Sequence, residues 1–133
     1  MDLRRQFQLP EEDEECLSAG GFVLEAVVEG KTKWVIIHDY PVPDGYNHRT
    51  VLAALRIPPP YPDDQIDMVY FYPALALNSG KNIRQLSACQ IDGKEFQQWS
   101  RHRTGENPWR PGIDNVCTHL LQVTNWLERE LKK

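Results

Sequence analysis

Four segments in the first half of the chain have the hydrophobic pattern of β-strands. Every second residue from 22 to 28 is apolar, which is typical of a strand with one buried face. Three further segments are short apolar or aromatic runs of strand length, at residues 34–37, 51–57 and 67–72. Because the first of these connections are short, the pattern predicts a four-stranded antiparallel meander.

The last part of the chain has the spacing of an amphipathic α-helix. Apolar side chains recur at intervals of three and four residues over positions 113–131, which predicts a helix with one buried face. We expect Val116, Leu120 and Leu127 to pack against the sheet. The pattern as a whole predicts an α+β fold, with the meander packed against a C-terminal helix.

The segments between these elements differ in character. Residues 58–62 read Pro-Pro-Pro-Tyr-Pro, which excludes regular sheet or helix and ends the third strand. Residues 78–112 have weak periodicity and many polar side chains, which indicates a long loop of the kind that carries function. We therefore expect one domain over residues 1–133, with an acidic segment at 1–20, an active loop at 78–112 and the helix at 113–131.

The charge and hydropathy of the chain argue against two classes of partner, nucleic acids and membranes. The chain has a formal net charge of −4, and its basic residues are scattered rather than gathered into a stripe, so nucleic acid is not an expected partner. No apolar stretch approaches the roughly 18 residues that a membrane span requires, and no apolar core follows the Arg4-Arg5 pair. We expect a soluble, cytoplasmic protein without a membrane partner.

The three cysteines, Cys16, Cys89 and Cys117, are widely spaced and form no C-x-x-C motif. An odd number at such spacings suggests neither a disulfide framework nor a structural zinc site, so we expect reduced thiols. Cys117 falls on the apolar face of the predicted helix, where a thiol is far more often a core residue than a catalyst.

Several short motifs follow one another in a definite order along the chain. They are PDGYN at 43–47, IPPPYP at 57–62, DM at 67–68, DG at 92–93, FQ at 96–97, WSRH at 99–102, WxPGxD at 109–114 and THL at 118–120. This combination resembles the prokaryotic ubiquitin-conjugating-enzyme-like (UBC-fold) family E. The resemblance covers nearly the whole chain, from about residue 22 to residue 131.

The resemblance implies a UBC fold and a carrier function in a bacterial ubiquitin-like conjugation pathway. It also implies three partners, namely a ubiquitin-activating-like enzyme, a ubiquitin-like or multi-ubiquitin protein, and a protein substrate. Such a transferase requires no metal, nucleotide or redox cofactor. Two other possibilities remain open, a catalytically inactive module that binds the ubiquitin-like protein or its activating enzyme, and a structural subunit of a complex in antiviral defence.

One departure from the family pattern concerns the catalytic loop. Conventional ubiquitin-conjugating enzymes carry His-Pro-Asn shortly before the acceptor cysteine, and this chain has no such tripeptide. The most similar tripeptide is Lys81-Asn82-Ile83. It makes Asn82 a candidate hydrogen-bond donor to the oxyanion that forms when an amine attacks the acyl intermediate. The backbone of the loop is the alternative donor.

Two residues are candidates for the nucleophile. Cys89 has a thiol and lies where a conventional conjugating enzyme would carry its cysteine, although no base is near it in sequence. Ser100 is the rival because His102 follows two residues later, where an extended backbone places both side chains on one face. Asp114 is a candidate to orient His102 or polarise an acceptor lysine, and otherwise interacts with the amino end of the helix.

Overall fold

The computed structural model describes residues 3–133 and shows an antiparallel sheet with two α-helices. The elements are α1 (Glu11–Ala19), β1 (Val23–Glu29), β2 (Thr32–Pro41), β3 (Thr50–Ile57), β4 (Val69–Tyr72), β5 (Leu86–Ile91), β6 (Lys94–Trp99) and α2 (Val116–Leu131). The predicted α+β class with a C-terminal helix is confirmed. Met1 and Asp2, which belong to the predicted acidic segment, lie outside the described residues. No helix in residues 3–133 is long and apolar enough to cross a membrane.

The sheet has six strands rather than the predicted four, in the order β1-β2-β3-β4-β6-β5. The two additional strands lie inside residues 78–112, so the prediction of one long loop there is also wrong. They escape the hydrophobic pattern because β5 and β6 lie at one edge of the sheet and carry serine, glutamine and charged residues. Asp92 and Gly93 have positive φ angles of 51° and 75°, as a tight hairpin between the two strands requires.

The β5–β6 hairpin curls back towards β1, at the other edge of the sheet. The backbone N–H of Asp92 donates to the Glu29 carboxylate at 3.0 and 3.1 Å. Arg4 lies beside β1 and joins Glu25 to Asp92, with contacts of 3.1 and 2.6 Å. This curl gives the face away from α2 its own small apolar cluster, which comprises Val27, Trp34, Ile36, Ala54, Tyr70, Ile91 and Phe96.

The main core lies between the sheet and α2. Val116, Leu120 and Leu127 are all buried there, as predicted. Helix α2 begins at Val116 rather than 113, because the Asn115 side chain accepts from the Thr118 N–H and forms a capping box. The apolar face predicted over residues 113–131 is wrong at Ile113 and Leu121, which are 60% and 67% exposed.

The acidic segment contains a helix, α1, that packs near α2. Cys16 of α1 and Cys117 of α2 form a disulfide with a Cα–Cα distance of 6.5 Å, so the expectation of reduced thiols is wrong. The expectation failed because two cysteines that are 101 residues apart in sequence can still be neighbours in the fold. Tyr61 from the proline-rich segment adds a second link, because its hydroxyl donates to Asp13 and accepts from the Val116 N–H.

Replacing Leu120 with alanine is expected to lower the free energy of unfolding by about 2–5 kcal/mol, because it removes a buried side chain and leaves a cavity. Leu121→Ala is the matched control, since its side chain is mostly exposed, and we expect a change within about 0.5 kcal/mol. Urea titration of both variants measures the difference. Equal effects at the two positions would show that the burial of α2 is misassigned.

Candidate active site

Asp67 and His102 meet where β4 begins and β6 ends. The two strands are antiparallel neighbours, so residues that precede β4 lie beside residues that follow β6. The Met68 N–H donates to the Arg101 carbonyl at 3.1 Å and extends this pairing past the strand ends. As a result, His102 Nδ1 lies 2.9 and 2.8 Å from the two carboxylate oxygens of Asp67.

The Asp67 carboxylate determines which nitrogen of a neutral His102 carries the proton. A carboxylate only accepts hydrogen bonds, so Nδ1 must be the donor and Nε2 keeps its lone pair. The His102 side chain is 61% exposed, and Nε2 has no hydrogen-bond partner within residues 3–133. This is the orientation that a general base needs in order to take a proton from a nucleophile.

Ser100 lies two residues before His102, on the extended segment that leaves β6. Its backbone N–H donates to the Gln85 carbonyl at 3.0 Å, and its carbonyl accepts from Arg101 Nη1 at 3.2 Å. The side chain is half-buried, and in the part of the chain that the structure describes its hydroxyl makes no hydrogen bond to His102. Catalytic hydrogen bonds are often long or absent in a free enzyme and tighten when substrate binds.

Cys89 lies on β5 and belongs to a different environment. It is opposite Phe96 on β6, and Ser100 is four positions after Phe96, a distance of about 13 Å along an extended strand. The thiol packs against the apolar cluster on the face away from α2. Burial raises the pKa of the Cys89 thiol, and the nearby Glu29 carboxylate raises it further. This is the reverse of the environment that activates a catalytic cysteine.

The other two sequence candidates, Asn82 and Asp114, form no hydrogen bond with His102 among the described residues. Asn82 is exposed on the connection between β4 and β5, and it forms no hydrogen bond with Ser100 or His102 among the described residues. Asp114 is buried and accepts from the Arg110 N–H at 2.7 Å, while Arg103 Nη1 lies 3.6 Å away. Burial acts to raise the pKa of Asp114, but these partners hold it below its usual value. Asp67, rather than Asp114, therefore contacts His102.

His119 holds in place the backbone of Met68, the residue after Asp67. It is fully buried on α2, and its Nε2 donates to the Met68 carbonyl at 2.8 Å. Met68 has a φ of 60°, a left-handed conformation that a residue with a side chain adopts only at a cost. With its N–H and carbonyl both engaged, Met68 is fixed next to Asp67. Burial lowers the pKa of His119 to about 4, so the imidazole is neutral at pH 7 and serves as a donor.

The unfolding free energy is expected to fall as the pH is lowered from about 6.5 to about 4, by up to about 3 kcal/mol from His119 alone. In this range the unfolded chain takes up a proton on His119 and the folded chain does not, so acid favours unfolding. Denaturant titrations at several pH values measure the slope. In His119→Gln, whose amide N–H can still reach the Met68 carbonyl but does not titrate, this part of the slope should vanish. An unchanged slope would contradict the assignment.

Sequence reasoning missed the contacts that Asp67 and His119 make at the candidate site. Both occur in the quoted motifs, but neither was given a role at the active site. Asp67 precedes β4, and its neighbour His102 follows β6, a strand that the hydrophobic pattern does not reveal. The aspartate-glycine turn at residues 92–93 was the available signal for that hairpin, and with β6 in place a position beside β4 could have been inferred.

Comparison with protein families identifies the family of the chain. The family model of prokaryotic E2 family E matches residues 9–130, which is most of the chain. Searches of curated proteins and of solved structures found no match.

Proposed function

Because the chain belongs to prokaryotic E2 family E, we propose that its ubiquitin-conjugating-like role is that of a carrier with Ser100 as the acyl acceptor. The carrier receives the C-terminus of a ubiquitin-like protein from an activating enzyme and transfers it to an amine of a protein substrate. The observation that carries this proposal is the Asp67–His102 pair, which leaves Nε2 free two residues from a serine hydroxyl.

In the first step, the Ser100 hydroxyl oxygen attacks the activated carbonyl carbon of the ubiquitin-like protein. Its proton passes to His102 Nε2, and the activating group leaves with the electrons of the broken bond. In the second step, the acceptor amine attacks the resulting oxyester and loses a proton, and the Ser100 oxygen leaves and regains its proton from His102. Asn82 or a backbone N–H of the segment is the proposed donor to the oxyanion.

The choice of Ser100 over Cys89 rests on the surroundings of the two groups. Ser100 lies two residues before a histidine whose tautomer suits a base. Cys89 has an elevated pKa, and its nearest charged influence is the carboxylate of Glu29. A thiol in that position is mostly protonated at pH 7.

The experiment combines the chain with its activating enzyme, ATP and the ubiquitin-like protein, and measures the intact mass. We expect a covalent adduct that survives thiol reductant and is cleaved by hydroxide. Ser100→Ala should abolish it, and Cys89→Ala should leave it intact. The opposite pattern, with an adduct that reductant removes, would transfer the role to Cys89. An adduct that persists in both variants would remove both residues from the mechanism.

One observation favours a second candidate, a binding module without transfer chemistry. The Ser100 hydroxyl forms no hydrogen bond with His102 within residues 3–133, and the chain has no His-Pro-Asn tripeptide. Such a module would bind the ubiquitin-like protein but form no adduct in the same experiment. A role in antiviral defence and a cytoplasmic location stay predictions. The Cys16–Cys117 disulfide bears on the location, because disulfides are more typical of oxidising compartments than of the cytoplasm.

A further inference from the structure

A cleft beside the proposed site is strongly cationic, although the chain as a whole carries a net charge of −4. It lies between the connection from β4 to β5 and the end of α2, and its volume is about 310 Å³. We call it the cationic cleft; its lining residues are Leu77, Lys81, Asn82, Arg84, Glu130 and Lys133.

The wall of the cationic cleft is held in place by a buried carboxylate. Glu130 is 4% exposed and pairs with Arg101 at 3.0 Å and with Lys133 at 2.8 Å. Arg101 is further fixed because its guanidinium lies 4.9 Å from the centre of the Trp99 ring. Burial acts to raise the pKa of Glu130, but Lys133 and Arg101 lower it below its usual value, so the carboxylate is ionised at pH 7. Glu130 thus offsets one of the positive charges around the cleft.

The remaining positive charges are not offset. Lys81 and Arg84 form no ion pair with a carboxylate in the described part of the chain, and both side chains are exposed. Lys81 Nζ donates only to the Lys133 carbonyl, at 3.1 Å. The lining residues include three cations and one carboxylate, so the cleft has an excess of two positive charges. Such a concentration of one sign attracts an anionic partner.

Two neighbouring stretches of chain connect the cleft with Ser100. Arg84 precedes Gln85, whose carbonyl accepts from the Ser100 N–H, and Arg101 follows Ser100 directly. A polypeptide bound in the cleft therefore lies close to the proposed acyl acceptor, because Arg84 is next in sequence to the residue that pairs with Ser100. None of the lining side chains is aromatic, so the cleft offers no stacking platform for the bases of a nucleic acid.

We propose that the cationic cleft binds an acidic segment of the protein partner whose acyl group is transferred at the adjacent site. This proposal rests on the proposed function for the identity of the partner, while the binding itself requires only the charges of the cleft. The segment's carboxylates pair with Lys81 and Arg84 and hold the partner near Ser100.

The test measures fluorescence anisotropy of a labelled eight-residue glutamate peptide, with an eight-residue glutamine peptide as the uncharged probe. We expect the purified chain to bind the glutamate peptide, less tightly as salt is added, and not to bind the glutamine peptide. Lys81→Glu with Arg84→Glu should weaken binding by about tenfold or more. Lys31→Glu with Arg56→Glu is the matched control, because it makes the same change of charge at two exposed positions, on the turn after β1 and on β3, and it should bind as the wild type does.

Three outcomes would overturn the proposal. These are no binding of the glutamate peptide, equal loss in the cleft and control variants, or tighter binding of a single-stranded oligonucleotide that the cleft variant abolishes. The last result would assign the cleft to nucleic acid. Ser100→Ala should bind the glutamate peptide normally, so a failure of the acyl-transfer proposal leaves this measurement unaffected, and each proposal can fail alone.

Discussion

Replacing His102 with alanine is expected to slow formation of the Ser100 adduct by about 100- to 10,000-fold, the usual contribution of a general base. The reason is geometric. His102 Nδ1 is held by the Asp67 carboxylate at 2.8 Å, and this leaves Nε2 to receive the hydroxyl proton. Without the imidazole, water would have to take that proton. Single-turnover kinetics, followed by intact mass, measure the rate.

Asp67→Asn tests the contact between Asp67 and His102 by changing the carboxylate instead of the imidazole. An asparagine can donate as well as accept, so it no longer forces the proton onto Nδ1, and we expect a large loss of rate with the fold intact. His48→Ala is the matched control, because this half-buried histidine lies on the connection between β2 and β3 and forms no hydrogen bond with Asp67 or His102 among the described residues. Wild-type rates of adduct formation and transfer in His102→Ala would reduce His102 to a structural residue of its segment.

Removing the disulfide between Cys16 and Cys117 is expected to lower the free energy of unfolding by about 2–5 kcal/mol. The bond closes a long loop, because the two cysteines are 101 residues apart, and the open chain has more conformations to lose on folding. Guanidinium titration of the double variant Cys16→Ser/Cys117→Ser measures the loss. Wild-type protein treated with reductant should show the same midpoint as the double variant.

Cys89→Ser is the control for the disulfide prediction, since Cys89 is the free cysteine of the described chain. Its stability should respond to reductant as that of the wild type does. A wild-type midpoint that is the same with and without reductant would show that the disulfide does not contribute to stability in solution. Equal stability of the wild type and the double variant would show the same.

The strands β1 to β4 and helix α2 were predictable because their signals are local. A strand with one buried face needs an apolar residue at every second position, and a helix needs one at every third or fourth position. Both patterns are present in these segments and predict their type. The strands β5 and β6 differ, because an edge hairpin with half-buried side chains satisfies its backbone by pairing and needs no apolar run.

The candidate active site also contains one part that was predictable from local sequence and one part that was not. Ser100 and His102 could be selected together because they are two residues apart on one extended segment. Asp67 could not be assigned to His102, since 35 residues separate them and only the pairing of β4 with β6 brings them together. The elevated pKa of Cys89 also depends on the tertiary structure, first through burial of the thiol and then through the Glu29 carboxylate, which is 60 residues away in sequence.

By itself, the sequence determined the fold class, three residues of α2 that face the sheet (Val116, Leu120 and Leu127) and the segment that contains Ser100 and His102. Periodicity and spacing along the chain carry that information, because each depends only on backbone geometry over a few residues. The tertiary structure alone decided the partner of His102, the support that His119 gives to Met68 and the bond between Cys16 and Cys117. Those contacts join residues from 35 to 101 positions apart, and such distances are set by how strands and helices pack rather than by any local pattern.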